Sequence, residues 1–113
     1  NLRALIINAF NGTFEKFDVL LTPTSPVTAF PANKTYDSPP EEIYLVDICT
    51  VPINTAGIPA ISVPCGFDSK NLPIGMQIIG PKFSESKILN AAYQYEIFTN
   101  YANNKSVGMG VRL

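Results

Sequence analysis

Thr50-Val51-Pro52-Ile53-Asn54-Thr55-Ala56-Gly57-Ile58-Pro59-Ala60-Ile61-Ser62-Val63-Pro64-Cys65-Gly66 sets small residues and three prolines around a short β-branched run. Pro52, Pro59 and Pro64 each fix φ and lack a backbone donor, so none suits the interior of a regular helix or of a central strand, and they mark joints. Between two of those joints, Ala60-Ile61-Ser62-Val63 has the length and composition of a buried strand. Gly57 supplies either a positive φ or room for close backbone approach. The stretch therefore predicts a helix, a tight loop and a core strand in quick succession.

Upstream, Leu2, Leu5, Ile6, Ala9, Phe10 and Phe14 recur at helical spacing, which predicts an amphipathic helix over about residues 2–16 that tolerates Gly12. Val19-Leu20-Leu21, closed by Thr22-Pro23, is an unbroken apolar run of the kind that suits a strand covered on both faces. Pro23, Pro26, Pro31, Pro39 and Pro40 punctuate a long polar stretch, and a loop of that length in a compact domain is expected to be docked or functional. Glu41 and Glu42 after two prolines suit the start of a helix, predicted to run to about Thr50.

Downstream, Asp68-Ser69-Lys70-Asn71 is turn chemistry and Gly75 to Ile79 a second strand, which together predict a β-hairpin. Ser84 is a candidate N-cap, and Ile88, Ala91, Ala92, Tyr95 and Phe98 line one face of a last helix ending near Asn100. The tail, about residues 101–113, is expected to be loosely ordered. This order predicts an α/β fold with a partial mixed β-sheet flanked by helices. Three strands make an incomplete sheet, and the chain opens at Asn1 in what reads as mid-helix pattern. Residues 1–113 are therefore expected to be a fragment of something longer, completing a larger sheet supplied by a missing N-terminal portion.

With 113 residues, 46% hydrophobic side chains and a formal net charge of -1, the chain has the apolar content of a globular unit. Lys+Arg 8 against Asp+Glu 9, with no dense basic cluster, gives no electrostatic footprint for a nucleic-acid backbone, so any such contact is expected through a partner. No apolar run approaches the roughly 20 residues that span a bilayer, and no signal-peptide pattern opens the chain. The expected setting is the cytoplasm, or an organelle matrix. Histidine is absent, which excludes a Ser-His-Asp triad, a Cys-His dyad and histidine zinc sites within these residues. Cys49 and Cys65 form no Cys-x-x-Cys pair and read as structural thiols.

Ser84-Glu85-Ser86-Lys87 fits a Ser-x-x-Lys pattern without its companion motifs, and a helix start explains it better. Gly75 and Gly80 have phosphate-loop spacing, but Pro81 stands where that loop needs lysine. The sequons at Asn11, Asn33 and Asn104 carry no weight without a secretory signal. Asp47 stands out because it lies in Ile43-Tyr44-Leu45-Val46-Asp47-Ile48-Cys49 with no basic neighbour. Such a carboxylate either faces water or meets a cation, and the bare sequence leaves both open. Thr22 to Pro26 and Asn54 to Pro59 are likewise open between tight packing and the lining of a crevice.

The Thr50 to Gly66 run does not stand alone. Phe17-Asp18-Val19-Leu20-Leu21-Thr22-Pro23-Thr24-Ser25-Pro26, the Ile43 to Cys49 segment and Leu72-Pro73-Ile74-Gly75-Met76-Gln77-Ile78-Ile79-Gly80 accompany it across nearly the whole chain. In this order and at this spacing they resemble the C-terminal part of the amidase signature family, within it the glutamyl-tRNA(Gln)/aspartyl-tRNA(Asn) amidotransferase branch. The resemblance implies the C-terminal portion of the amidase signature fold. It implies glutamine as substrate, hydrolysed through an acyl-enzyme, with the ammonia passed to a partner subunit. That partner uses ATP and magnesium to convert Glu-tRNA(Gln) to Gln-tRNA(Gln), and tRNA is met only through it.

By the same resemblance Asp47 matches the aspartate that binds the α-amino group of glutamine. Family members use a Ser-(cis)Ser-Lys triad with oxyanion donors in a Gly/Ser-rich segment. This sequence has no Gly-Gly-Ser-Ser-Gly-like stretch. The triad is expected upstream, and no catalytic, cofactor-binding or metal-ligating residue is assigned here. Alone, these residues are expected to be inactive and marginally stable or self-associating. The alternatives are part of a stand-alone amidase acting on another amide, and a non-catalytic binding or scaffold module.

Overall fold

The computed structural model describes residues 1–31 and 39–103, apart from the side chains of Glu42 and Ile43. In chain order these form α1 (Leu2–Phe14), β1 (Leu20–Pro23), α2 (Pro40–Val46), α3 (Val51–Ala56), β2 (Ala60–Phe67), β3 (Pro73–Ile79), α4 (Glu85–Thr99) and a 3-10 turn (Tyr101–Asn103). β3 is the middle strand of the sheet, flanked by β1 and β2. Both pairings are antiparallel, with Leu21 opposite Ile78 on one side and Ile61 opposite Ile78 on the other.

The α/β class holds, but the described strands form an antiparallel sheet where a mixed one was expected. The physical cause lies in β1. Its side chains alternate between half-buried and exposed, with Leu21 61% exposed, as an edge strand allows. An unbroken apolar run was thus not a strand buried on both faces. β2 also runs past Pro64, which the sequence reading set as its end. Proline is tolerated there because β2 is the other edge strand of the described sheet and its register shifts in a bulge between Pro64 and Gly66.

The helix expected up to about Thr50 ends earlier, at Val46. A turn over residues 47–50 leads into α3, because Pro52 is accommodated only in a first helical turn. Gly57 then closes α3 in the left-handed region at φ 67, with its N–H donating to the Ile53 and Asn54 carbonyls, 3.0 and 3.2 Å. The helix, tight loop and strand expected between Thr50 and Gly66 are therefore present.

The hairpin is closed by Asp68. Its Oδ1 accepts from Lys70 N and Leu72 N at 2.8 and 2.9 Å, and its Oδ2 accepts from Thr28 Oγ1 at 2.7 Å, pinning the proline-rich segment to the turn. α4 then folds back over β2 and β3. Ile88 and Ala92 are buried against Val63 and Ile78, with Ala91 and Tyr95 packed beside them. Full burial of each large aliphatic side chain contributes about 1.5–3 kcal/mol. Phe98, expected on this face, is 90% exposed, since the packed stripe ends at Tyr95. Ser84 does start α4, but its hydroxyl donates to the Pro81 carbonyl at 2.6 Å and caps no helical N–H.

α1 lies on the opposite side against α3. Asn1 Oδ1 accepts from Arg3 N at 3.2 Å at its start, and Arg3 Nε donates to the Thr55 carbonyl at 3.0 Å at the end of α3. No residue of α1 is buried. Of the tail expected to be loosely ordered, Tyr101–Asn103 forms the 3-10 turn, with Tyr101 edge-on to Phe67 at 6.4 Å. Residues 104–113 lie outside the described part, as do 32–38 of the long loop.

Candidate functional site

Asp47 occupies the joint between α2 and α3. It caps α2 at φ -94 and ψ -1, and its carbonyl accepts from Thr50 N at 2.9 Å, Val51 N at 3.0 Å and Thr50 Oγ1 at 3.1 Å. The backbone is thus committed to the turn, and the residue is exposed. Among the described residues the one ion pair is Lys87 with Asp18 at 3.2 Å, on another part of the surface. On the segments that flank it in sequence, Glu41, Tyr44, Leu45, Ile48, Val51 and Pro52 line a largely apolar hollow of about 550 Å³, and Asp47 is not among its walls. Carboxylates on a segment with such apolar walls suit a ligand with an ammonium group and an alkyl portion.

Behind this turn the sheet presents a polar face. Thr22, Gln77 and Ser62 stand side by side in register across the three strands. Gln77 is buried at 5% exposure, and its Nε2 donates to the Cys49 carbonyl at 3.2 Å and to Thr22 Oγ1 at 3.1 Å. Further along, Thr24 and Ser62 share a 2.6 Å hydroxyl contact over Gly75. A Cβ at Gly75 would stand 3.0 Å from both oxygens, so the close approach requires glycine. A hollow of about 300 Å³ opens there, lined by Thr24, Ser25, Thr28 and Ser62 among others.

Asp47 and the Thr22 to Pro26 hydroxyls therefore lie on segments that Gln77 touches from one position. The Asn54 to Pro59 stretch is the end of α3 and its turn, held by Arg3 and by the Gly57 cap rather than open as a pocket wall. Gln77 was missed as more than a strand residue in the sequence reading. Its signal was available, since it is the only strongly polar side chain in Met76-Gln77-Ile78-Ile79. Cys49 and Cys65 are free, half-buried thiols. The described residues contain no cluster of three or more His, Cys, Asp or Glu suited to a metal ion.

Among the described residues, Asp68 and Tyr95 have displaced protonation equilibria. Hydrogen bonds from Leu72 N–H first, then from Thr28, hold the Asp68 carboxyl below its ordinary range. Burial raises the Tyr95 phenol above its own. Both are structural. No helix among the described residues is long and apolar enough to cross a membrane.

Comparison with known proteins bears on the family and the fold. Residues 1–89 match the family described as Amidase. The chain is 51% identical over 104 residues to the glutamyl-tRNA(Gln) amidotransferase A-subunit of Brevibacillus brevis, covering 92% of this chain and 21% of that protein. It is 57% identical over 95 residues to the protein of the same name from Halothermothrix orenii, covering 84% and 20%. The crystal structure of the glutamyl-tRNA(Gln) amidotransferase A-subunit from Thermotoga maritima superposes with a TM-score of 0.77 at 44% identity, over 92% of this chain and 22% of that one. A bacterial aryl acylamidase of the amidase signature enzymes gives 0.70 at 27% identity, over 90% and 22%. The chain spans about a fifth of the length of the curated relatives it matches.

Proposed function

This chain belongs to the amidase family, and from that premise we propose that it is the C-terminal portion of the glutamine-hydrolysing subunit of a glutamyl-tRNA(Gln) amidotransferase. The names and roughly half-identical sequences of the relatives support the assignment to this branch. The observation that carries the substrate is Asp47, an exposed carboxylate on the fixed turn between α2 and α3, segments whose Tyr44, Leu45, Ile48 and Val51 line a largely apolar hollow together with Glu41. In this reading the carboxylate takes the α-ammonium of glutamine and the hollow takes part of its methylene chain.

The nucleophile and its oxyanion donors belong to a Gly/Ser-rich segment outside these residues, so this portion binds and orients while another portion performs the acyl transfer. Ammonia leaves for a partner subunit, whose ATP and magnesium activate the glutamate on tRNA. The tRNA itself is met through that partner, in keeping with the balanced charge of this chain. The cytoplasm or an organelle matrix is the matching compartment.

Asp47→Asn in the full-length subunit tests the reading. It keeps the backbone turn, which uses the main-chain N–H and carbonyl of Asp47, and removes the charge. Loss of one charge-assisted contact costs about 1.5–3 kcal/mol, or roughly tenfold to a hundredfold in binding of glutamine. Glutaramate, the glutamine analogue without an α-amino group, should be affected little. Equal loss for both amides would leave Asp47 a solvated surface acid and favour an amidase of different substrate.

A further inference from the structure

We infer that Gln77 is a positioning residue for glutamine recognition, because its buried side-chain amide clasps the turn that carries Asp47. The inference rests on the reading of Asp47 as the ammonium ligand and adds how that carboxylate is held in place. Residue 77 is the best-anchored point on the polar face of the sheet. It sits mid-strand in β3, directly opposite Thr22 on one side and Ser62 on the other, so its Cα is fixed by both ladders.

The orientation of the amide is decided by its partners. The Cys49 carbonyl only accepts, so Nε2 must face it, and the second hydrogen goes to Thr22 Oγ1. The Thr22 hydroxyl, filled as an acceptor, donates onward to the Pro23 carbonyl at 3.2 Å. A buried amide in an apolar run is costly unless its donors are used. Here both are used on segments far away in sequence, 28 and 55 positions from Gln77.

The turn itself shows why the clasp matters. The bonds from Thr50 and Val51 to the Asp47 carbonyl give it shape, but they lie within the turn and its first helical residue and do not tie it to the sheet. Among the described residues, the Gln77 amide is the one side chain that reaches it from outside. Cys49 is two positions beyond Asp47, so a shift of its carbonyl carries the carboxylate with it. A displacement near 1 Å at a binding group can cost on the order of a hundredfold in rate.

The test uses the full-length subunit with glutamine and glutaramate as paired substrates, and the variants Gln77→Met, Asp47→Asn and both together. Gln77→Met should raise KM for glutamine about tenfold, less than Asp47→Asn, with kcat close to the parent value and glutaramate turnover within about twofold. The double variant should match Asp47→Asn alone, since a misplaced carboxylate and a missing one fail in the same way. Should Gln77→Met not fold, Gln77→Asn, which withdraws the amide by one methylene, carries the same expectations. Equal loss on both substrates, or additive losses in the double variant, would overturn the inference and make Gln77 a packing residue. A selective loss in Asp47→Asn with an unchanged substrate ratio in both Gln77 variants overturns the inference alone. An unchanged ratio in Asp47→Asn overturns the Asp47 reading and this inference with it.

Discussion

Residues 60–99 and residues 1–56 solve the burial problem differently. In the first region a hairpin and the helix that follows it bring Val63, Ile78, Ile88 and Ala92 together from adjacent stretches of chain. In the second, α1 buries no residue, and Leu2, Leu5, Tyr44, Leu45, Ile48 and Val51 are each more than half exposed. β1 is joined to the sheet only through β3, more than fifty positions later. The difference shows where cohesion lies. Local contacts build the packed body, whereas the turn bearing Asp47 stands between the exposed side chains of α2 and the buried Ile53 and Ala56 of α3, and meets the sheet through the bond from Gln77 to the Cys49 carbonyl.

The comparison breaks most visibly if the two regions respond alike to truncation. Ile88→Ala empties a site 3% exposed and should cost about 2–5 kcal/mol, while Leu5→Ala, at a position 66% exposed, should change stability by about 0.5 kcal/mol or less. Urea melts of the two variants check this. Equal losses would mean that α1 is as much part of the core as α4. In the full-length subunit, by contrast, a large Leu5→Ala cost would show that the rest of the domain covers α1.

A smaller effect sharpens the description of the packed region. Gly80 lies where β3 hands over to α4, and a Cβ there would stand 2.7 Å from Ile88 Cγ2 and closer still to Ser84 Oγ. Gly80→Ala should therefore destabilise by about 1–3 kcal/mol through overpacking. Adding Ser84→Gly should recover part of that loss. A neutral Gly80→Ala would show that α4 can lift off the sheet without penalty.

The smallest expected effect concerns the clasp between the two regions at Asp68. Its carboxyl is held below the ordinary value of 3.8 by Leu72 N–H and Thr28, so the folded state binds the proton less tightly than the unfolded one. The resulting stability is fully present above the unfolded value and is lost as pH falls through the lower, folded one. Melts taken from about pH 5 downward should show this decline, and Thr28→Val should make it shallower. A decline unaffected by Thr28→Val would assign it to the turn amides alone.

Much of this architecture is legible in the chain because local physics decides it. Apolar periodicity marks α1 and α4, Asp68 to Asn71 marks the hairpin, and the Pro-Gly punctuation from Pro52 to Pro59 marks the α3 joint. What fails does so where neighbours decide. The Val19 to Leu21 run could not show that its strand lies at an edge, because burial on one face or two depends on pairing. Pro64 forbids a central strand but not a bulged edge strand, and order within the sheet is invisible from one segment. The end of α2 was set near Thr50 and lies at Val46, because the turn over residues 47–50 rests on bonds to the Asp47 carbonyl that no local signal announces. Asp47 was visible as an acid without a neighbour. Gln77 was not visible as its support, since that depends on a contact 28 positions away.

The central placement of β3 also sets an order of events. β1 and β2 each pair with β3 and not with one another, so as the chain emerges from a ribosome these two strands cannot be joined in one sheet until residues 73–79 have appeared. The hairpin can close early because its loop is short, which presents β3 to β1. Gln77 arrives in the same strand that completes the sheet. The turn at Asp47 thus gains its bond to the sheet only after residue 77 has been made, and until then it stands untethered.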